Sequence, residues 1–419
     1  MDVITLAESL LGWIQASGTG LGDDLEQLER VIREAVLEVG AQALEVHLSR
    51  QKLGYEGSRR VCGCGQDQRF VGYRAKTIAT LMGPITLRRA YYHCGSCGTG
   101  ALPYDQRMGL GRTACSVGLA KAATWCAANH SFASAQAMLE ELTGQRLGTS
   151  TIHRLSRQVG QVAAEHEAEV SADTQTASPT APGRLYTAVD GVMVHQDGRW
   201  QEMKVATCYW EDARGDRVTR HCVRGEAVEG FVGYVQALTR RCGVQRAGEK
   251  VLLGDGARWI WRQIGPLLGD DATHITDWYH VAQHVGQCAE VLHGQGHEAR
   301  AWSEPIKTML WEGRLRDLRA HLDQASQAAT EPADRSAVDA LITYIRHQGD
   351  RLVYDDFRAR GLDIGSGCVE AACKHVVQTR LKGSGMRWSS PGAQATASLR
   401  ANHLNHQRDS LWKLKPLAA

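Results

Sequence analysis

An α/β fold follows from three features of the 419-residue sequence. Residues 185–195, LYTAVDGVMVH, are a β-favouring run with apolar residues on both faces (Tyr186, Ala188, Val192, Val194), as a central strand covered on both sides requires. Runs at 200–210 and 217–223 follow it in hairpin fashion. Beyond them helices and strands alternate: helix 226–242, strand 249–255, helix 257–268 and strand 273–277.

Composition sets the frame for the remaining elements. With 43% hydrophobic and 22% charged residues the chain is an ordinary globular one, long enough for two to four domains with real cores. No membrane segment is expected, and the N-terminus carries no basic leader followed by an apolar core, so the expected location is the cytoplasm. The 12 cysteines are then thiols or metal ligands rather than disulfides. The net charge is only +2, but it is unevenly spread: residues 1–50 hold nine acidic and three basic groups, whereas 374–415 hold eight basic groups and one acidic. A polyanion surface is therefore expected at the C-terminal end.

In chain order, residues 1–57 read as acidic helices, 4–15 and 25–53, the second with Leu25, Leu28, Ile32, Val36 and Val39 on one stripe. Their acidity disfavours DNA and favours a contact within the protein or with a second subunit. Residues 58–112 read as a zinc ribbon, in which Cys62-Gly-Cys64 and Cys94-Gly-Ser-Cys97 flank a hairpin of strands at 77–81 and 85–92. Two such pairs place four thiolates tetrahedrally and hold a segment too small for its own core, so the zinc is structural. The first pair has one intervening residue where two are usual.

Residues 113–172 are helical throughout. Helices 132–144 and 149–162 have helix-turn-helix spacing, which offers Arg154 and Arg157, with Ser150, Thr151 and His153, to a DNA groove. An ordinary helical hairpin fits the same spacing. Residues 173–184 are polar, proline-bearing and aperiodic, a linker, and 185–419 form the last domain.

That domain carries the chemistry. Asp190 sits in the middle of the central strand, where a charge persists only when neutralised by a cation or metal. Asp255 ends another apolar strand, and Glu370 lies at the start of a helix in IGSGCVEAACK. Three antiparallel strands followed by helix–strand alternation is the ribonuclease H order, in which the first and fourth strands are neighbours and bring Asp190 beside Asp255. With a third carboxylate from a helix, such a pair holds two divalent ions a few Å apart, the arrangement phosphodiester cleavage needs.

The stretches CGSCGTGALPYD, AVDGVMV, GDGARWIW, DWYH and IGSGCVEAACKHVVQTRLKGSGMRW resemble those of bacterial insertion-sequence transposases of the DDE type, the Kra group, related more distantly to Mutator-like elements. The resemblance implies that Asp190, Asp255 and Glu370 are an acidic triad binding two magnesium ions, with manganese able to substitute. It also implies that Asp277-Trp-Tyr-His280 is the carboxylate/histidine motif such enzymes carry after the second aspartate. Its implied partners are the element's terminal inverted repeats and target DNA, bound by a homodimer or higher oligomer at the bacterial nucleoid.

Between Asp255 and Glu370 lie 114 residues that read as an all-helical insertion, at about 278–360. Its Trp302 and Trp311 are open to two readings, base stacking and helix core. His280 reads either as a hydrogen-bonded structural histidine or as a contact to the scissile phosphate. Lys374, Arg380, Lys382 and Arg387 are placed to hold DNA phosphates, with a solvated basic face as the alternative, and Lys204 on the strand beside Asp190 is either a further contact or a buried ion pair. Together these features read as a DNA transposase that cuts element ends and joins them to target DNA. The alternatives are a nuclease of the same fold without strand transfer and a non-catalytic zinc-ribbon DNA-binding protein.

Overall fold

The computed structural model describes residues 3–16, 24–108, 110, 114–173, 179–414 and 417, and the chain forms a mixed α/β structure in two units. One unit comprises Met1–Val162 with Arg408–Ala419, the other Ala163–Gln407. The helix Thr149–Ala172 runs unbroken across that division, so the change of unit falls inside a helix and not in the expected linker, of which residues 174–178 lie outside the described ones. The C-terminal residues from Arg408 belong to the first unit and not, as expected, to the last domain.

In the first unit, strands β1 (Arg59–Val61), β2 (Asp67–Thr80), β3 (Gly83–Cys94) and β4 (Gly100–Ala101) make an antiparallel sheet in that order. The β2–β3 pair turns through Leu81 and Met82 and is broken once, by a bulge at Phe70/Gly72. One face buries Ile78, Ile85 and Leu87 with Ala41 from the helix Leu25–Ser49, and Glu45 accepts a 2.7 Å hydrogen bond from the Thr86 amide. The acidic helix thus has an intramolecular partner. Its buried residues are Val31, Ala35 and Ala41; of the expected stripe Leu28 and Ile32 are half-buried, whereas Leu25, Val36 and Val39 are 70%, 48% and 45% exposed. Helices Val117–Asn129 and Phe132–Thr143 begin at Ser116 and Ser131, whose hydroxyls accept from the amides of Leu119 and Ser134, and the second ends at left-handed Gly144.

The second unit is built on β5 (Arg184–Gln196), β6 (Arg199–Glu211), β7 (Arg217–Arg224), β8 (Glu249–Gly254) and β9 (Thr273–Thr276), ordered β7-β6-β5-β8-β9. β5, β6 and β7 are antiparallel, while β8 joins β5 and β9 joins β8 in parallel. Asp197 and Gly198, both at positive φ, close the β5–β6 hairpin. β5 is central and buried on both faces, as expected: Leu185 and Val189 pack with Phe231 and Val235 of the helix Val228–Arg241, and Ala188, Val192 and Val194 pack on the other side. Each fully buried Leu or Val among these contributes about 1.5–3 kcal/mol.

That other side is covered by the helix Gly367–Ala372, its π-helical continuation Cys373–Gln378, and the helix Ser390–Leu404. The helices between β9 and Glu370 are Trp278–His293, His297–Trp311, Leu315–Ala328, Pro332–Gln348 and Tyr354–Ala359. They share one continuous core with the sheet, through Val281, Val285, Ile306, Leu318 and Leu341. The insertion is therefore helical but has no core of its own. Among the described residues no helix is long and apolar enough to cross a membrane.

Candidate functional site

The register of the parallel strands decides which side chains meet. β5 and β8 pair Ala188 with Leu253, so continuing two residues sets Asp190 level with Asp255. β8 and β9 pair Gly254 with Thr276, so the next residues, Asp255 and Asp277, are level too. Continued past the paired residues, the register brings Asp190, Asp255 and Asp277 to the same end of the sheet. For β8 and β9 this is the carboxyl end of the strand, where open α/β sheets bind ligands.

Each carboxylate has its own fixings. Asp190 accepts from the Gly191 amide at 2.7 Å and from the Cys373 thiol at 3.4 Å. Burial pushes its pKa up, and the Asp255 charge adds to that push, against the Gly191 and Cys373 hydrogen bonds and the nearby His280. Asp255 accepts from the Ala257 amide at 2.8 Å, while its carbonyl accepts from the Tyr344 hydroxyl at 3.2 Å. Gly256, at φ +101°, makes the turn, and a Cβ there would meet Gln348 Nε2 at 2.8 Å.

Asp277 is fully buried and caps the helix Trp278–His293, accepting from the His280 amide at 2.8 Å. Its other oxygen accepts from the Ser366 amide, one residue before the helix that carries Glu370. Burial opposes its ionisation, but the hydrogen bonds from His280 and Ser366 prevail and hold its pKa below the usual value. His280 Nδ1 lies 3.3 Å from Asp277, and that carboxylate, with help from Asp255 and Asp190 and against the cost of burial, pushes the imidazole pKa up.

Glu370 is exposed and accepts from the Ser366 hydroxyl at 3.2 Å. Asp277, His280 and Glu370 each offer a ligand atom within 4.8 Å of the others, a set able to hold a metal ion. Asp190, Asp255 and Glu370 do not by themselves form so tight a group among the described residues. Asp277 is thus a ligand candidate that the expected triad of Asp190, Asp255 and Glu370 left out. Its position directly after β9, parallel to that of Asp255 after β8, is the feature that could have marked it as one.

The four cysteines converge as expected. Cys62 and Cys94 are buried, Cys64 and Cys97 exposed, and the ligand atoms of all four lie within 4.8 Å of one another. The Cys62–Cys97 and Cys64–Cys94 sulfur separations are 3.6 and 3.7 Å. A tetrahedron of sulfurs at about 2.3 Å from zinc has edges of about 3.8 Å. The short Cys62–Cys64 spacing is accommodated because the tight turn after β1 exposes Gly63 and Gly65, the latter at φ +82°. Hydrogen bonding to the Thr99 hydroxyl and amide pushes the Cys97 thiol down to about 6.

The expected DNA contacts divide. Arg154, Arg157, Lys374, Lys382 and Arg387 are exposed, and Ser150 and His153 are exposed with the first two, above a buried Ile152, Leu155 and Val159. Arg380 is not available: it is 1% exposed, lies 5.1 Å from the centre of the Trp388 ring, and is pushed down to about 10 by burial and by Arg400. The π-helical stretch Cys373–Gln378 shifts the helical phase, which turns Arg380 inward beside Leu381. Lys204 is 7% exposed, 2.9 Å from Glu202 and donating to the Glu226 carbonyl, which is the ion-pair reading and not the DNA contact. Trp302 is half-buried and packs against the core, while Trp311 packs on Trp278 with Arg358 3.9 Å from its ring centre. A basic surface also went unread in the sequence: residues 59–94 hold seven Lys and Arg against one acid, and Arg59 on β1 and Arg69, Arg74 and Arg88 on the hairpin are exposed.

Fold and site together define an α/β protein with a row of acidic residues at one edge of its sheet and a cysteine cluster able to hold a metal such as zinc. Residues 20–413 match the family described as uncharacterised protein family UPF0236, and the chain belongs to that family. No curated protein matches the chain.

Proposed function

We propose that this protein is a DNA transposase of the DDE type, with a ribonuclease H-like catalytic core. The observation that carries the reading is the levelling of Asp190 and Asp255 on adjacent strands, with Glu370 brought to the same edge by the Asp277–Ser366 link. The order β7-β6-β5-β8-β9 supports it, since the first and fourth strands of the unit are the neighbours that the core requires.

The donors of these three residues fit a hard divalent cation: they are carboxylate oxygens, and burial leaves Asp190 in need of a counter-charge. Asp190, Asp255 and Glu370 would hold magnesium, which when bound supplies charge to activate the attacking oxygen and stabilise the leaving one. The chain's own groups then orient the strand. His280, kept cationic by Asp277 over a wider pH range than a free histidine, is placed to hold a phosphate oxygen beside Asp190 and Asp255. Water attacks phosphorus and the P–O3′ bond breaks, leaving a 5′-phosphate and a 3′-hydroxyl. That hydroxyl then gives up its proton and attacks a target phosphodiester, whose own P–O3′ bond breaks and whose O3′ leaves protonated, with no covalent enzyme intermediate.

The test is cleavage and joining of DNA bearing the element's ends, in magnesium. Glu370→Gln, Asp190→Asn and Asp255→Asn each lower cleavage by more than about 100-fold, while DNA binding is kept or improved because a negative charge is lost. A Glu370→Gln protein that cuts and joins at the parental rate removes Glu370 from the site and the transposase reading with it. Cleavage without joining replaces it by a nuclease.

A further inference from the structure

Behind the Asp255 turn lies a cavity of about 690 Å³ whose lining includes Arg258, Arg262 and Arg351 but no Asp or Glu. Arg258 and Arg262 are exposed at its rim, one helical turn apart. Arg351 packs 4.9 Å from the centre of the Trp261 ring. Arg258 lies 2.8 Å from the ring Nε2 of His347, which also lines the cavity. Three guanidinium groups around one cavity with no acid in its lining suit an anion with several acceptor oxygens.

The same wall supports the acidic edge. Tyr344 donates to the Asp255 carbonyl at 3.2 Å, and Gln348 donates to the Gly256 carbonyl at 3.1 Å. An anion seated here is thus one short turn of backbone from Asp255. Trp261 offers little for a base to stack on, because Arg351 and His274 already pack against its ring. The cavity suits the sugar-phosphate backbone better than a nucleotide recognised through its base.

We propose that this cavity holds a backbone phosphate of the DNA strand being cut, through Arg258, Arg262 and Arg351, and so registers that strand against Asp255. The assignment rests on the transposase reading for its substrate, but its test is independent of cleavage. Binding of duplex DNA is measured by fluorescence anisotropy over a salt series in EDTA, for the parental protein and for Arg258→Gln/Arg262→Gln. Both substituted side chains are exposed, so the variant is expected to keep the parental melting midpoint, and circular dichroism checks this.

The expected result is a log-affinity against log-salt slope shallower by about 2. An unchanged slope on DNA that the parental protein binds overturns the phosphate site and leaves the transposase reading standing. A shallower slope in a protein that cuts no element end in magnesium keeps the site and overturns that reading. Calorimetric binding of pyrophosphate that the variant loses, with the DNA slope unchanged, assigns the cavity to a free phosphate compound and overturns the DNA strand.

Discussion

Asp277 shows how one side chain can serve two elements. As a helix cap it satisfies the His280 amide, and through Ser366 it ties the start of the Glu370 helix to β9, so its buried charge is paid for by position and not by solvent. The pH dependence of this arrangement has a definite sign. His280 has a pKa raised in the folded state, so its stabilising contribution is full below its unfolded value of about 6.5 and is lost as pH rises through the folded value. The melting-midpoint gap between the parental protein and His280→Gln is therefore largest near pH 6 and narrows towards pH 9, and a constant gap would contradict the Asp277 pairing. Asp190 has the opposite consequence, because a carboxylate with a raised pKa destabilises the fold where it is ionised. Asp190→Asn should raise the melting midpoint at pH 7.5 by on the order of a few degrees while abolishing cleavage, with the gain fading as the parental Asp190 becomes protonated in acid. Asp190, Asp255 and Glu370 were legible in the sequence because strand and helix signatures surround them. The Asp277–Ser366 link was not, because it joins residues 89 positions apart through a backbone amide.

Among the elements, the central strands were readable almost to the residue: 185–195 is observed as Arg184–Gln196 and 200–210 as Arg199–Glu211. Continuous apolar runs bounded by turn residues leave little choice there. The ribbon hairpin was under-read, with β2 starting at Asp67 rather than Thr77, because exposed Arg69, Tyr73 and Arg74 and the bulge at Phe70/Gly72 break the alternation that marks a strand. That hairpin's apolar cluster around Ile78, Ile85 and Leu87 lies away from its cysteine end, where Phe70 packs edge-on against Tyr55 and Tyr92. Metal at the cysteines is expected to add to that stability. Elemental assay should find about one zinc per chain, and Cys94→Ser/Cys97→Ser should lose it and make the 59–101 segment sensitive to protease. Full zinc retention in that variant would place the metal elsewhere.

For the molecule as a whole, a net charge of +2 conceals an acidic start and a basic end, and exposure decides how much of that basic end is usable. The sequence treats Arg380, Lys382 and Arg387 alike because linear spacing assumes a regular helix, whereas the π-helical stretch puts Arg380 in the core and leaves the other two outside. The two groups should separate in experiment. Lys382→Ala/Arg387→Ala removes two exposed charges, so the DNA-binding salt slope should become shallower by about 2 at little cost in stability. Arg380→Ala deletes a large buried side chain packed on Trp388, so it should cost about 3 kcal/mol of folding free energy, read by urea unfolding, and leave the slope of the folded protein unchanged. If Arg380→Ala were as stable as the parental protein but bound DNA with a shallower slope, Arg380 would have to face the nucleic acid. The helical phase derived from the π-turn, and with it the placement of this basic surface beside Glu370, would then be wrong.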